Sequence, residues 1–182
     1  MKKLPLPKKE IVTDTLNTDF GWMSFAVSPA GLKYTKFMFG TKEEAQTALF
    51  NLIGEENFVA DRTVTEKWCR TFSGYFGGNI KSFERIRIDR SSWSDFGEKV
   101  YMTAMSIPYG KTVSYGAIAS YLGNEKASRA VGNALKRNPV APVVPCHRVI
   151  AKDKDLCGFS ATGGLKLKQK IIELEKRNSP LF

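Results

Sequence analysis

Along the first half of this chain the spacing of hydrophobic positions differs from segment to segment, and each spacing predicts a secondary-structure element. Two runs rich in aromatic and β-branched residues, 20–27 and 32–39, are separated by a Ser-Pro-Ala-Gly turn, which predicts a β-hairpin. Thr41 then resembles a helix N-cap, because two glutamates follow it and apolar residues recur on one face of the following stretch. A second helix is predicted from about residue 65 to residue 76, and residues 83–88 are predicted to be extended.

The second half of the chain follows a helical period. A polar stretch at 89–92 is followed by apolar residues at helical spacing from about 94 to 106. Two short helices, 115–122 and about 127–136, are joined by a Gly-Asn-Glu-Lys turn, which predicts a helix-turn-helix. A last helix is predicted over 164–175. We therefore expect a boundary near residue 90, with a small α+β unit containing an antiparallel sheet before it.

Composition and charge narrow the class of protein. The 182 residues are 42% apolar, enough for a conventional core, and no apolar run reaches membrane-spanning length. The basic start of the chain has no hydrophobic segment after it, so we expect an intracellular protein, in the cytoplasm or the nucleus, without a membrane partner. The net charge of +10 favours a polyanionic partner, although a lysine-rich surface alone would produce the same balance.

Cysteine usage argues against a disulfide framework and against a structural zinc site. Three scattered cysteines do not suggest a disulfide framework. With a single histidine and no CxxC pair, a structural zinc site is not expected, and no motif calls for a metal or an organic cofactor.

The most informative chemistry lies at Cys146, which precedes that single histidine, His147. A thiol is a good nucleophile only as the thiolate, and a neighbouring imidazole is a common means of forming it. The flanking apolar residues predict an extended, partly buried segment in which neighbouring side chains point to opposite faces. His147 would then need a bridging water, or a bend after Pro145, to serve the thiol. The alternative is a core cysteine beside a surface histidine.

Residues 107–150, which include Pro-Cys-His-Arg-Val at 145–149, closely resemble the core of the O6-alkylguanine-DNA alkyltransferases. The resemblance extends over about 92–175 and thins out upstream. It implies a fold in which residues 1–90 form the N-terminal supporting domain and residues 91–182 form a C-terminal winged helix-turn-helix domain with the active site. It implies irreversible, single-turnover transfer of the alkyl group from O6-alkylguanine in double-stranded DNA to Cys146, with no cofactor and as a monomer.

The resemblance also implies which residues bind DNA. The small side chains of the helix at 127–136 would let it lie in the minor groove, where base identity is poorly encoded. Arg129 would fill the gap left by the flipped guanine, and Tyr115 would help drive the flipping. Asn124 and Lys152 are further candidates for phosphate contacts. The alternatives are a salt-bridging surface arginine and a tyrosine packed on the core.

Three residues would assist the transfer. His147 would remove the thiol proton, and Glu175 on the last helix would orient it, with Glu173 as the alternative if the register slips. Asn138, before a proline, resembles the family's asparagine hinge, although Asn-Pro is also simply a good turn. Arg148 could contact phosphate or form a structural ion pair.

The substrate pocket is expected to involve Tyr115, Val149, Phe159 and Ser160. Because the loop departs from the family pattern, counting back from its glycines would place Ala161 and Thr162 there instead. Cys157 stands where small residues are common in the family and is expected to be incidental. Ala141 replaces a proline of some relatives, a change that bears on the tolerance of bulky alkyl groups.

Two other classes of function compete with this one. A pure binding module, either a winged-helix regulator or an alkyltransferase-like lesion sensor, would lack the acceptor thiol that Cys146 provides. A Cys-His hydrolase fits poorly, because its nucleophile and base are not expected to be adjacent in sequence.

Overall fold

The computed structural model describes residues 10–54, 58–151 and 164–179. Its N-terminal half is built on a four-stranded sheet in the order β3-β2-β1-β4. The first three strands pair antiparallel, and the short fourth strand adds parallel to β1. The strands are β1 (Ile11–Thr18), β2 (Gly21–Ser28), β3 (Gly31–Phe39) and β4 (Phe58–Ala60).

The β2–β3 hairpin confirms the turn prediction, and steric crowding explains why a glycine ends the turn. Gly31 has a φ of 140°, and a Cβ at this position would collide with the carbonyl of Arg87. The Leu32 N–H donates to that same carbonyl at 2.9 Å, so the hairpin end is tied to the segment leading into the second half. The prediction of an extended 83–88 segment is wrong. The Ile86 N–H donates to the Phe83 carbonyl and closes a turn, and Ile88 forms only one bridge with Leu32.

Two helices cover the sheet. Helix α1 (Lys42–Ile53) begins at the predicted cap, where Thr41 and Glu44 form a reciprocal capping box. Helix α2 (Arg62–Phe76) begins three residues earlier than predicted, because the Asp61 carboxylate accepts the Thr63 N–H. Its buried face is mainly aromatic and comprises Thr65, Trp68, Cys69, Phe72, Tyr75 and Phe76.

The second half is mainly helical and confirms the predicted helices to within a few residues. Its elements are α3 (Asp95–Met105), β5 (Val113–Ser114), α4 (Tyr115–Tyr121), α5 (Ser128–Lys136), β6 (Val149–Ile150) and α6 (Gly164–Asn178). A 3₁₀ turn over Glu125–Ala127 connects α4 to α5, as a helix-turn-helix requires. Strands β5 and β6 pair in parallel over two residues and place the end of the active-site segment beside the start of α4.

One hydrophobic cluster runs through both halves, from Leu16 in the sheet to Ile171 on the last helix. The edge strand β3 also binds the chain ahead of the candidate nucleophile. The Thr35 N–H donates to the Pro139 carbonyl at 2.8 Å, and its hydroxyl donates to the Ala141 carbonyl at 2.6 Å. The division into 1–90 and 91–182 stays a prediction. No helix within the described ranges is long and apolar enough to cross a membrane.

Candidate active site

Cys146 lies on a tight turn, and the predicted extended segment is wrong here. Residues Cys146–Arg148 form one turn of 3₁₀ helix, closed by the Arg148 N–H donating to the Pro145 carbonyl at 2.9 Å. Pro145 starts the turn with φ −83° and ψ 64°. This is the bend after Pro145 that the sequence left open as one of two possibilities. It buries the side chains of Cys146, His147 and Arg148 together.

Asn138 holds the approach to this turn. Its side-chain amide donates to the Val144 carbonyl at 2.7 Å, and its amide oxygen accepts the Val140 N–H at 3.0 Å. The two bonds pin the loop that ends at Cys146, so the side chain does more than complete an Asn-Pro turn. Asn138 also interacts with the Cys146 thiol and lowers its pKa.

The Glu175 carboxylate is the centre of a buried network. Oε1 accepts hydrogen bonds from the Tyr75 hydroxyl at 2.7 Å, His147 Nε2 at 2.9 Å and Arg148 Nη2 at 2.8 Å. Oε2 accepts Arg148 Nε at 2.9 Å and the Gly110 N–H at 3.1 Å. Glu173, the alternative considered for this place, is exposed, and among the described residues its carboxylate accepts a hydrogen bond from Gln169 on its own helix and from no other group. Arg148 therefore forms a structural ion pair inside the protein.

This network fixes the charge of its members. Burial alone would raise the pKa of Glu175, but His147 and Arg148 outweigh it and hold that pKa far below the usual range. Burial lowers the pKa of His147, and the cations Arg148 and Lys168 lower it further against the opposing effect of Glu175. The resting state therefore pairs an ionised carboxylate with a neutral imidazole.

The neutral ring must have its proton on Nε2, because Nε2 faces an ionised carboxylate that can only accept. Nδ1 then carries the lone pair. It is buried, and no group in the described part of the chain forms a hydrogen bond with it. A buried, unpaired ring nitrogen beside a cysteine is a candidate proton acceptor.

Lys168 is a site residue that the sequence analysis did not identify. It is fully buried on α6, and its ammonium group donates to the Val149 carbonyl at 2.6 Å. The same group lies 3.5 Å from the Tyr115 hydroxyl and 5.7 Å from the centre of the Tyr115 ring. In the sequence it is one lysine of a Lys-rich helix, and only its position on the apolar face distinguished it.

Tyr75 is the second missed residue. It lies on α2, in the half of the chain assigned only to packing and support, yet its hydroxyl contacts Glu175. Neighbouring aromatic residues on the same helix face made it look like an ordinary core residue. A buried tyrosine hydroxyl needs a partner, and that requirement was the available signal.

The thiol itself is well buried. Cys146 is 9% exposed, and burial raises its pKa, against the lowering effects of Asn138 and the Lys168 ammonium. Cys69, on α2, is different: burial and the Asp14 carboxylate, which it contacts at 3.4 Å, raise its pKa to about 12. Of the two cysteines that the structure describes, Cys146 is the one that directly precedes the buried His147 and whose pKa is lowered by the Lys168 ammonium.

The helix-turn-helix presents the predicted DNA-binding residues in different ways. Arg129 on α5 is exposed and makes no ion pair or hydrogen bond within the described residues. The Tyr115 ring lies against Gly132, where an added Cβ would be in ordinary contact at 3.8 Å. Asn124 is exposed and its side chain caps the 3₁₀ turn by accepting the Lys126 N–H at 3.2 Å.

Several predicted residues lie outside the described part of the chain: the pocket residues Phe159 and Ser160, their alternatives Ala161 and Thr162, the phosphate contact Lys152, and Cys157. Val149 is buried, and its carbonyl is the acceptor for Lys168. A groove of about 700 Å³ does reach Cys146 from the side of β3. Its walls include Tyr34, Lys36, Trp93, Leu135 and Ala141.

Among the described residues, no three His, Cys, Asp or Glu side chains cluster as a metal site.

The chain is similar to known proteins in sequence and in fold. Residues 95–177 match the family described as 6-O-methylguanine DNA methyltransferase, DNA binding domain. A methylated-DNA–protein-cysteine methyltransferase of Methanosarcina acetivorans is 38% identical over 145 residues, covering 80% of this chain and 85% of that protein. The crystal structure of Mycobacterium tuberculosis O6-methylguanine methyltransferase has a TM-score of 0.75 at 31% identity, covering 94% of this chain and 96% of that one. A structure of Mycobacterium tuberculosis OGT in complex with DNA matches with the same TM-score at 30% identity, covering 94% and 95%.

Proposed function

This chain belongs to the methylated-DNA–protein-cysteine methyltransferase family, and we propose that the thiol of Cys146 is its alkyl acceptor. The protein repairs DNA by taking the alkyl group of O6-alkylguanine onto its own cysteine. The product is a thioether, which has no simple route back to a thiol, so each molecule acts once. The observation that carries the assignment of Cys146 is its place on the 3₁₀ turn, next to an imidazole that is held by Glu175.

His147 acts as the base through Nδ1, directly or through a water molecule. Glu175 keeps the proton of the neutral ring on Nε2, which leaves Nδ1 free to accept the thiol proton. When the ring becomes a cation, the same carboxylate stabilises it. Arg148 fixes the carboxylate through two bonds, so the ring orientation is set before substrate arrives.

The thiol stays protonated in the free protein. Burial raises the pKa of Cys146 and lowers the pKa of His147, so transfer of the proton between them is unfavourable without substrate. The thiolate is formed when the alkylated base occupies the site and the displacement can proceed. This arrangement protects a single-use nucleophile from unproductive oxidation and alkylation.

The chemistry balances without a further reactant. A sulfur–carbon bond forms as the bond from that carbon to guanine O6 breaks, and the electron pair of the broken bond stays on the guanine. The thiol proton, taken up by His147, is finally returned to the restored guanine. The Lys168 ammonium and the Tyr115 hydroxyl, 3.5 Å apart, stabilise the negative charge of the departing base.

DNA is bound through the helix-turn-helix, a role supported by the Mycobacterium tuberculosis relative crystallised with DNA. The exposed Arg129 takes the place of the damaged guanine in the stack, and Tyr115 crowds the backbone beside it. Alkylated guanine pairs badly, so its extrusion costs less than that of an intact base. Asn124 and Lys152 contact phosphates. The protein acts as a monomer, which size-exclusion chromatography of the free and DNA-bound forms would check.

Peptide mass spectrometry tests the assignment after mixing the protein with a duplex that carries one O6-methylguanine. The expected result is one methyl group on the Cys146 peptide, saturating at about one per protein. It should be absent in Cys146→Ser and retained in Cys69→Ser, the matched control. If the duplex binds but every cysteine stays unmodified, the chain is a lesion-binding module, and the roles given to His147 and Glu175 are wrong.

A further inference from the structure

Tyr75 carries the contact between the N-terminal half and the reacting network. Its side chain is fully buried, and its hydroxyl donates to Glu175 Oε1 at 2.7 Å. The same hydroxyl oxygen lies 3.3 Å from Nε2 of His147. The three residues lie at sequence positions 75, 147 and 175, so only the folded chain brings them together.

The hydroxyl is held by a rigid aromatic environment. The Tyr75 ring packs against Phe76, Phe83 and Tyr109, with ring centres 5.2, 4.7 and 6.3 Å away. Two of these partners lie in the N-terminal half, and Tyr109 lies just before the Gly110 N–H that also binds Glu175. Because the ring has little room to move, the hydroxyl position is set by the packing of α2.

Sharing one carboxylate oxygen among donors has a chemical consequence. Oε1 accepts from Tyr75, His147 and Arg148, and each donor reduces the negative charge that the others experience. A weaker acceptor at Oε1 holds the imidazole proton less tightly and stabilises the imidazolium less. Tyr75 therefore opposes the effect of Glu175 on the ring.

We propose that Tyr75 is a positioning residue for alkyl transfer, through which the N-terminal half sets how readily His147 accepts a proton. The inference rests on the proposed function, in which His147 is the base. Tyr75 can act only as a donor to the carboxylate, because burial and the nearby Glu175 raise its pKa and keep the phenol protonated.

The other charged and titratable groups around the His147 ring either shift its pKa in a defined direction or are neutral. Arg148 from the turn and Lys168 from α6 lower the pKa of His147, whereas Glu175 from α6 raises it. Tyr109 faces Tyr75 and the Arg148 guanidinium, and burial raises its own pKa, so it too stays neutral. Cys146 precedes the ring as a neutral thiol. Tyr75 is thus a neutral donor that modulates Glu175 without adding charge.

The test is the pH dependence of single-turnover methyl transfer in full-length Tyr75→Phe. Loss of the hydroxyl should strengthen the Glu175–His147 bond and make His147 more basic. We expect the acid limb of the rate profile to move up by about 0.5 to 1 pH unit, while the rate on the alkaline plateau changes less than about threefold. An acid limb that does not move, with only lower stability, would show a purely structural role and overturn the proposal.

The matched control is Tyr101→Phe, which removes another buried hydroxyl, one that donates to the Ala134 carbonyl at 2.9 Å. It should cost similar stability without moving the His147 titration. That titration can be followed directly by NMR, because the chain contains a single histidine. The NMR measurement does not depend on methyl transfer, so failure of the inference and failure of the proposed function are distinguishable.

If Tyr75→Phe folds poorly, a second variant with the opposite expected effect still tests the proposal. A fluorinated tyrosine placed at position 75 is a stronger donor of nearly unchanged shape. It should move the acid limb and the His147 titration downward, and an unchanged or upward shift would contradict the proposal.

Discussion

Acidification from pH 7 to pH 5 should destabilise this protein through one residue, His147. The ring is 0% exposed and its pKa is lowered, first by burial, whereas in the unfolded chain it titrates near the ordinary value of 6.5. Below pH 6.5 the unfolded state therefore binds a proton that the folded state does not. The free energy of unfolding must fall as pH falls through this window.

The size of the effect follows from linkage. The limiting slope for one proton is about 1.4 kcal/mol per pH unit. Between pH 7 and pH 5 the loss is about 2 kcal/mol if native His147 stays neutral throughout, and it is smaller if the native ring takes up a proton within this window. The carboxylates whose pKa values are lowered, such as Asp14, Asp89 and Glu175, stabilise the protein above their unfolded pKa values and lose that contribution only at lower pH.

Urea unfolding followed by tryptophan fluorescence, at intervals from pH 7.5 to pH 5, measures this slope. Because the chain has a single histidine, His147→Gln leaves no imidazole to titrate and should give a flat profile over the window. His147→Gln and the wild type are compared by the slope of the free energy of unfolding against pH, and not by its absolute value. A flat wild-type profile, or a slope that survives in His147→Gln, would refute the claim that a buried neutral imidazole is held in the site.

Four further substitutions test separate contacts. Thr35→Val leaves the Ala141 carbonyl without its hydroxyl donor and should lower the free energy of unfolding by about 1 to 2 kcal/mol in urea, whereas a loss below about 0.5 kcal/mol would mean the bond contributes little. Arg129→Ala should slow transfer from duplex DNA by about tenfold or more, yet leave the rate with the free base O6-benzylguanine within about twofold, since a free base needs no flipping. Lys168→Met should raise the pKa of Cys146, so the increase with pH in the rate of Cys146 alkylation by iodoacetamide should move upward by about 0.5 to 1 pH unit. An unshifted rate profile would exclude an electrostatic role of Lys168. Ala141→Phe should fill the groove beside Cys146, and it should slow transfer from O6-benzylguanine at least about tenfold more than it slows methyl transfer from DNA. Equal slowing of the two reactions would mean that the groove does not receive the alkyl group.

Local chemistry made the helices and the hairpin predictable. Thr41, Ser94 and Ser114 each cap the helix that follows them through the side-chain oxygen, and this signal depends on neighbours in sequence only. Strand β1 was missed because its sequence, IVTDTLNT, is largely polar. Its strand geometry comes from pairing with β2 on one side and β4 on the other.

The turn at Cys146 shows why the site was harder to predict than the fold. Apolar neighbours on both sides favour a strand by local pattern. What decides the conformation is the simultaneous burial of His147 and Arg148, both of which bind the same distant carboxylate. A sequence pattern reports periodicity along the chain, and it contains no information about a distant partner that two residues share.

The Glu175 carboxylate connects segments from both halves of the chain. Its five bonds come from α2, from the loop at Gly110 and from the turn after Pro145, segments that meet only when both halves of the chain have packed. Removing Glu175 would leave Arg148 as a buried charge without its partner, a change expected to cost about 3 to 5 kcal/mol, so loss of activity and loss of folding would coincide. Tyr75 lies at the edge of the same network and adds no charge to it. Substitution of Tyr75 therefore alters the proton affinity of His147 while leaving the ion pair intact, and it tests whether the N-terminal half takes part in the reaction.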